Sequence, residues 1–249
     1  MSCSRLVAVL ALALVAPGAT AAPQARPSAR LTVLAASSLT TVFPQIDATP
    51  RYSFAGSDTL AAQLELGAPA DVLAAANSSI PDRLYARDVV EKPIAFATNR
   101  LVLVVPAGNP AHIASVFDLR RAGIKLVIGS STVPIGVYTR KILKNLGLTN
   151  VLARVVSQET DARSILGKVA LGEADAGFVY RTDARAVAGK VKVVGIPASA
   201  QPPVRYEIAI VKPAHNRAAA AAFIKRVLSK AGQAKLRAAG FGAVSPEGR

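Results

Sequence analysis

Three observations predict an α/β fold. Short apolar runs alternate with helix-period segments along nearly the whole of the 249 residues. Several of those runs end in Gly or Ser and open directly into a helix. The strongest run, L-V-L-V-V at 101–105, is apolar at every position rather than at alternate ones, which suits a sheet covered on both faces, and the alternation of strands with helices predicts largely parallel pairing.

The chain begins with Arg5 and an unbroken apolar run from 6 to 16, too short to span a bilayer, followed by Pro17-Gly18 and the A-T-A of 19–21. Residues 1–21 are expected to be a secretory signal peptide, and the Pro- and Ala-rich residues 22–29 a flexible lead-in. The sole cysteine, Cys3, lies in the leader, so the exported chain is expected to have no disulfide and no thiol chemistry. L-T-V-L-A-A at 31–36 reads as a strand running into a Ser37-Ser38 turn, with Ser at the N-cap of a helix that Pro44 should shorten or kink. Y-S-F at 52–54 is strand-like. A-G-S-D at 55–58 is a turn, and Leu60, Gln63, Leu64 and Leu66 carry a helix stopped at Gly67. Val72-Leu73 starts a buried strand, and Asn77 to Asp82 cap the next helix.

A short helix is expected over 117–122, a strand over 125–128, and a helix from Val137 or Tyr138 to Leu146. A strand follows over 151–157. Thr160-Asp161 then caps a helix that opens at Ala162, and a strand over 174–180 closes on Tyr180. Residues 191–196 and 206–211 are further strands, Asn216 starts a helix, and a last helix over 231–239 ends at Gly240.

The formal charge of +15 raises nucleic acid, an anionic membrane or an anionic ligand as partners. The basic residues are scattered, however, and in helices they alternate with apolar ones, as on a solvated face. No nucleic-acid-reading motif is present. The chain has no Trp and only 5% aromatic residues, too few for a stacking platform. His112 and His215 are the only histidines, and no His/Cys cluster has metal-ligand spacing. A serine hydrolase using Ser38 or Ser57 is the competing enzymatic reading. It lacks the G-x-S-x-G elbow and a histidine in context. What remains is chemistry by neutral donors: a strand ending in Gly-Ser and opening a helix offers unpaired N–H groups and a hydroxyl to an anion.

Four segments carry a family resemblance. L-T-V-L-A-A-S-S-L-T at 31–40, S-F-A-G-S-D-T-L-A-A-Q-L-E-L-G-A-P-A-D at 53–71, V-P-I-G-V-Y at 133–138 and A-D-A-G-F-V-Y-R-T-D-A at 174–184 resemble, in order, the periplasmic molybdate-binding proteins of ABC transporters. The resemblance implies a two-lobed type II periplasmic-binding-protein fold with the ligand in the inter-lobe cleft. Residues 30–97 and 204–249 would form lobe I, and 98–203 lobe II. It also implies a monomer that is not an enzyme and needs no cofactor. Such a protein captures molybdate or tungstate outside the cytoplasm and hands it to a membrane permease; sulfate or another oxyanion is the alternative ligand.

Carried over position by position, Ser38 and Ser57 would each give a hydroxyl and an N–H, Ile135 and Ala162 their backbone N–H groups, and Tyr180 its phenolic O–H. The metal would be held only through its oxygens. Ile135 stands where members often have Ala, and is expected to narrow the cleft. Asp58 is expected to cap its own helix and point away from the anion. Asp71, Asp175 and Asp183 read as turn or packing residues, and Asn99 and Arg100 as hinge or surface residues.

Overall fold

The computed structural model describes residues 30–244. The expected leader and lead-in, Cys3 included, lie outside the described residues. The chain runs β1 (Thr32–Ala36), α1 (Phe43–Ile46), β2 (Arg51–Ala55), α2 (Ser57–Glu65), β3 (Val72–Ala75), α3 (Ser79–Ala86) and β4 (Ile94–Asn99). It then crosses to β5 (Leu101–Pro106), β6 (Leu126–Gly129), α4 (Pro134–Asn145), β7 (Val155–Glu159), α5 (Ala162–Ala170), β8 (Ala176–Tyr180), α6 (Arg181–Ala186) and β9 (Val191–Val194). It returns through β10 (Val204–Ile210) to α7 (Arg217–Leu228) and α8 (Lys230–Ala238).

Two five-stranded sheets result, in the orders β2-β1-β3-β10-β4 and β7-β6-β8-β5-β9. The first is built from both ends of the chain and the second from its middle. In each, one strand is flanked by two parallel neighbours: β1 between β2 and β3, and β6 between β7 and β8. The remaining pairings, of β10 with β3 and β4 and of β5 with β8 and β9, are antiparallel. The largely parallel pairing expected from the alternation of strands with helices is therefore corrected to mixed. A run buried on both faces says that the sheet is covered, not which way its neighbour points. β1 shows the two-faced burial directly: Val33 and Ala35 join the large core, and Leu34 joins a second cluster with Leu60, Leu64, Leu73 and Leu84 beneath α2 and α3.

The parallel strands end where the helices begin. β1, β2 and β3 in one sheet, and β6, β7 and β8 in the other, all deliver their C-terminal ends to the same gap between the sheets. This is the edge at which α/β sheets place ligands. Local differences from the sequence reading have local causes. The segment after β1 is a 3-10 turn over Ser37–Leu39, followed by the one-turn α1 with Pro44 in its first turn. Residues 116–120 form a 3-10 helix capped reciprocally by Ser115 and Asp118. The expected strand at 151–157 begins only at Val155, because Thr149–Arg154 is 3-10. The chain switches sheets at Arg100, between β4 and β5, and again along 195–203.

Candidate functional site

Ser38, Ser57, Ile135, Ala162 and Tyr180 line one cleft between the two sheets. Each is at least nine-tenths buried, Ser38 at 8% exposure and the other four at 2%. In the sequence these five residues lie as much as 142 positions apart (38 to 180); the fold gathers them because each sits at the end of one of the converging strands or on the helix that follows it.

Each backbone donor has a structural origin. α2 starts at Ser57, with Gly56 as its N-cap and no side chain capping the turn. α4 starts at Pro134, three residues earlier than the expected Val137. Proline suits the first helical position, where its missing N–H costs nothing. Ile135 thereby becomes the second residue of α4, and its N–H has no partner within the helix. At α5, Asp161 is the N-cap. Its Oδ1 accepts from the N–H groups of Arg163 (2.8 Å) and Ser164 (3.1 Å), and its Oδ2 from the Ser164 hydroxyl (2.8 Å). The N–H of Ala162 is left for the cleft. α2, α4 and α5 thus present first turns to one space, each adding about half a positive charge.

The hydroxyls are polarised the same way. The Ser57 Oγ accepts from the Ala76 N–H at 3.0 Å, so its own hydrogen is free. The Ser38 Oγ lies 2.9 Å from the Tyr206 hydroxyl. Asn99 Nδ2 donates to that Tyr206 oxygen (3.3 Å) and to Thr182 Oγ1 (3.0 Å), while Asn99 Oδ1 accepts from the Arg100 N–H (2.9 Å), which fixes the orientation of the amide. Tyr206 receives from Asn99, and either hydroxyl of the Ser38–Tyr206 pair can be the donor; where Tyr206 gives to Ser38, Ser38 keeps a hydrogen to offer. The Tyr180 hydroxyl is buried without any partner. Burial holds the phenols of Tyr180 and Tyr206 well above their usual range, the acids and phenols around them adding to it, so both stay protonated donors.

No Lys or Arg is among the residues lining the cleft, and the one carboxylate there, Asp161, is committed to its own helix. Among the described residues no group of His, Cys, Asp and Glu could hold a metal ion. The cleft lining thus offers hydroxyls and the first turns of three helices.

Several sequence expectations change. The Ser37-Ser38 turn supplies no side-chain cap. Asp58 does not cap α2 either: its Oδ1 is buried without a partner beside Gly56. Ile135 puts its Cγ2 into room that Gly129 leaves, 2.7 Å from where a Cβ would stand on that glycine, so its bulk is taken up inside the second lobe. Asp71 and Asp175 are structural: Asp71 accepts from the N–H groups of Thr32 and Asn216, and Asp175 from that of Lys125. Asn99, read as a hinge or surface residue, is 7% exposed and orients Tyr206 from the first crossing.

Tyr206 and Thr160 are not singled out by the sequence. Tyr206 is one tyrosine in a strand pattern, and its role arises from pairing across 168 residues with Ser38. Thr160 closes the cleft, for a Cβ on Gly56 would overlap its carbonyl oxygen.

The model of the bacterial extracellular solute-binding protein family matches residues 31–242. The molybdate-binding protein ModA of Mycobacterium tuberculosis is 38% identical over 221 residues, covering 85% of this chain and 84% of the relative. That of Escherichia coli is 33% identical over 214 residues, covering 78% and 81%. Among solved structures, the periplasmic molybdate-binding protein of Azotobacter vinelandii superposes with a TM-score of 0.77 at 22% identity, over 86% of this chain and 100% of that one, a likeness of fold.

Proposed function

The chain belongs to the bacterial extracellular solute-binding proteins, among relatives that are molybdate-binding proteins, and on that premise we propose that it captures molybdate or tungstate outside the cytoplasm for an importer in the membrane. Ser38, Ser57 and Tyr180 hold the oxyanion with hydroxyl hydrogens, and Ser38, Ser57, Ile135 and Ala162 with backbone N–H groups. The metal is reached only through its oxygens. The observation that carries this reading is the cleft lining: the buried hydroxyls of Ser38, Ser57 and Tyr180 stand beside the first turns of α2, α4 and α5, with no Lys or Arg among the lining residues.

Such a shell selects by charge and protonation. A dianion receives several charge-assisted hydrogen bonds at once. An anion that carries a proton brings a hydrogen against a donor, and one contact becomes repulsive. A cation finds no lone pair directed at it. Lys and Arg would give more attraction but less discrimination, because they accept phosphate and carboxylate as readily. Export through the 1–21 leader, action as a monomer and delivery to a permease complete the proposal.

The test is a titration calorimetry series on the chain from residue 22 onward with molybdate, tungstate, sulfate and phosphate. Tight one-to-one binding of molybdate and tungstate with weak or no binding of phosphate is expected. Sulfate binding tighter than both metal oxyanions would move the ligand to sulfate. Heat from none of the four would overturn the oxyanion reading.

A further inference from the structure

Behind Tyr180 lies an acid that the donor shell does not use. Asp183 is the third residue of α6, and its carboxyl accepts a backbone hydrogen bond from Tyr180, the residue before that helix. It is 4% exposed, and its Oδ2 has no hydrogen-bond partner. It lines a second chamber between the lobes, together with Ser38, Thr41, Arg163, Thr182 and Arg185. Ser38 is shared by this chamber and the oxyanion cleft. Asp183 therefore touches the backbone of one proposed donor, Tyr180, and shares a chamber with another, Ser38.

The charged and titratable groups around it come from every packed element. α5 and its cap supply Arg163, which favours the carboxylate, and Asp161, which opposes it. β8 and β10 supply the phenols of Tyr180 and Tyr206, both of which feel Asp183. Its own helix adds Arg185 at the chamber wall. Burial outweighs Arg163 and pushes the Asp183 carboxyl up to about 7. A dianion held by Tyr180 and Ser38 brings two like charges toward this group with little water between to screen them.

We propose that Asp183 is a positioning residue that couples oxyanion capture to the uptake of one proton, the anion being held while Asp183 is the neutral acid. This rests on the reading of the cleft as a dianion site. The sign follows from linkage: bound anion raises the proton affinity of Asp183, so protonation of Asp183 raises affinity for the anion by the same factor. Affinity is greatest below about pH 7, where the acid is already neutral, and falls as pH rises above it. Molybdate is fully deprotonated across that range and contributes no slope of its own.

The experiment is calorimetry of the chain from residue 22 onward with sodium molybdate at pH 6, 7, 8 and 9, in paired buffers of different ionisation enthalpy. The expected result is uptake of close to one proton at pH 8 and a Kd that weakens by up to about tenfold per pH unit above 7. Asp183→Asn should bind with a pH-independent Kd and no uptake. Glu207→Gln is the companion variant: Glu207, the other buried acid pushed up to about 7, has Asp82 beside it rather than the Asp183 chamber, and its loss should leave the uptake in place. Molybdate binding without proton uptake in the unaltered chain overturns this inference and leaves the oxyanion reading standing. Uptake that survives Asp183→Asn, or disappears in Glu207→Gln, also overturns it. Failure to bind molybdate at any pH overturns both.

Discussion

Tyr180→Phe should change stability and binding in opposite directions. The Tyr180 hydroxyl is buried without a partner, so removing it relieves the ligand-free protein of an unsatisfied group, by about 1 kcal/mol. The same hydroxyl is a donor to the proposed anion, and a hydrogen bond to a charged group is worth roughly 1.5–3 kcal/mol, or about 10- to 150-fold in affinity. Thermal denaturation without ligand and calorimetry with molybdate measure the two effects separately; a Tyr180→Phe variant that binds as tightly as the parent would remove Tyr180 from the site. Ser57→Ala should weaken binding by a similar factor. It also orphans the Ala76 N–H, so its ligand-free stability should fall rather than rise. Ser57 and Tyr180 are legible in the sequence because one opens a helix and the other closes a strand, each within a quoted motif. Tyr206 is not, since nothing in V-R-Y-E-I announces that its hydroxyl will meet Ser38 and Asn99 from the far side of the core.

Elements are legible where periodicity and caps agree, and illegible where either is missing. α5 follows the Asp161 cap, and α7 the Asn216 cap, as their sequences indicate. α6, R-T-D-A-R-A, has no apolar period to betray it and goes unseen in the sequence. The sequence sets the start of α4 too late because V-P-I-G looks like loop. Proline there is the first helical residue, and Gly136 is demanded by packing, since a Cβ on it would overlap the Ser130 carbonyl oxygen and stand 2.5 Å from that of Gly129. Gly136→Ala should therefore cost more than about 2 kcal/mol in denaturant unfolding and displace the Ile135 N–H. Gly167, inside α5 with open space where its Cβ would stand, is the matched comparison: Gly167→Ala should stabilise by about 0.5–1 kcal/mol and leave binding alone. Equal effects at the two positions would contradict the close approach of α4 to the end of β6. The direction of the strands is beyond the sequence: β5 is apolar throughout, yet both its neighbours run antiparallel to it, because it takes its sense from the crossing between the sheets.

For the whole molecule, Asp183 and Glu207 predict an unusual pH profile. Burial lifts both carboxyls to about 7, well above the roughly 4 of an unfolded chain. Between those values the folded protein keeps protons that the unfolded chain has released, so ligand-free stability should decline as pH rises from about 4 to 7 and level off above. Asp118 works the other way: the N–H groups of Ser115 and Ala114 hold its carboxyl below the usual range, a contribution lost only in stronger acid. Melting curves from pH 4 to 9 should peak on the acid side of neutrality, and Asp183→Asn should flatten part of the descent. A midpoint that climbs steadily from pH 5 to 7 would contradict the buried-acid account. Gly56 makes a second prediction at this scale. A methyl group there meets the Thr160 carbonyl of the other lobe, so Gly56→Ala should hold the cleft ajar. Affinity should drop at least about tenfold with little loss of fold stability, and the loaded variant should keep a larger radius of gyration in X-ray scattering than the loaded parent.

The join at Arg100 is one residue long, between the last residue of β4 and the first of β5, and among the described residues the return path along 195–203 is the only other strap. Two tethers, one of them without slack, permit a swing about a single axis and little else. The outer ends of the halves must then travel furthest when the mouth shuts, so a receptor resting on both tips could tell a filled carrier from an empty one by their spacing, without touching the cargo.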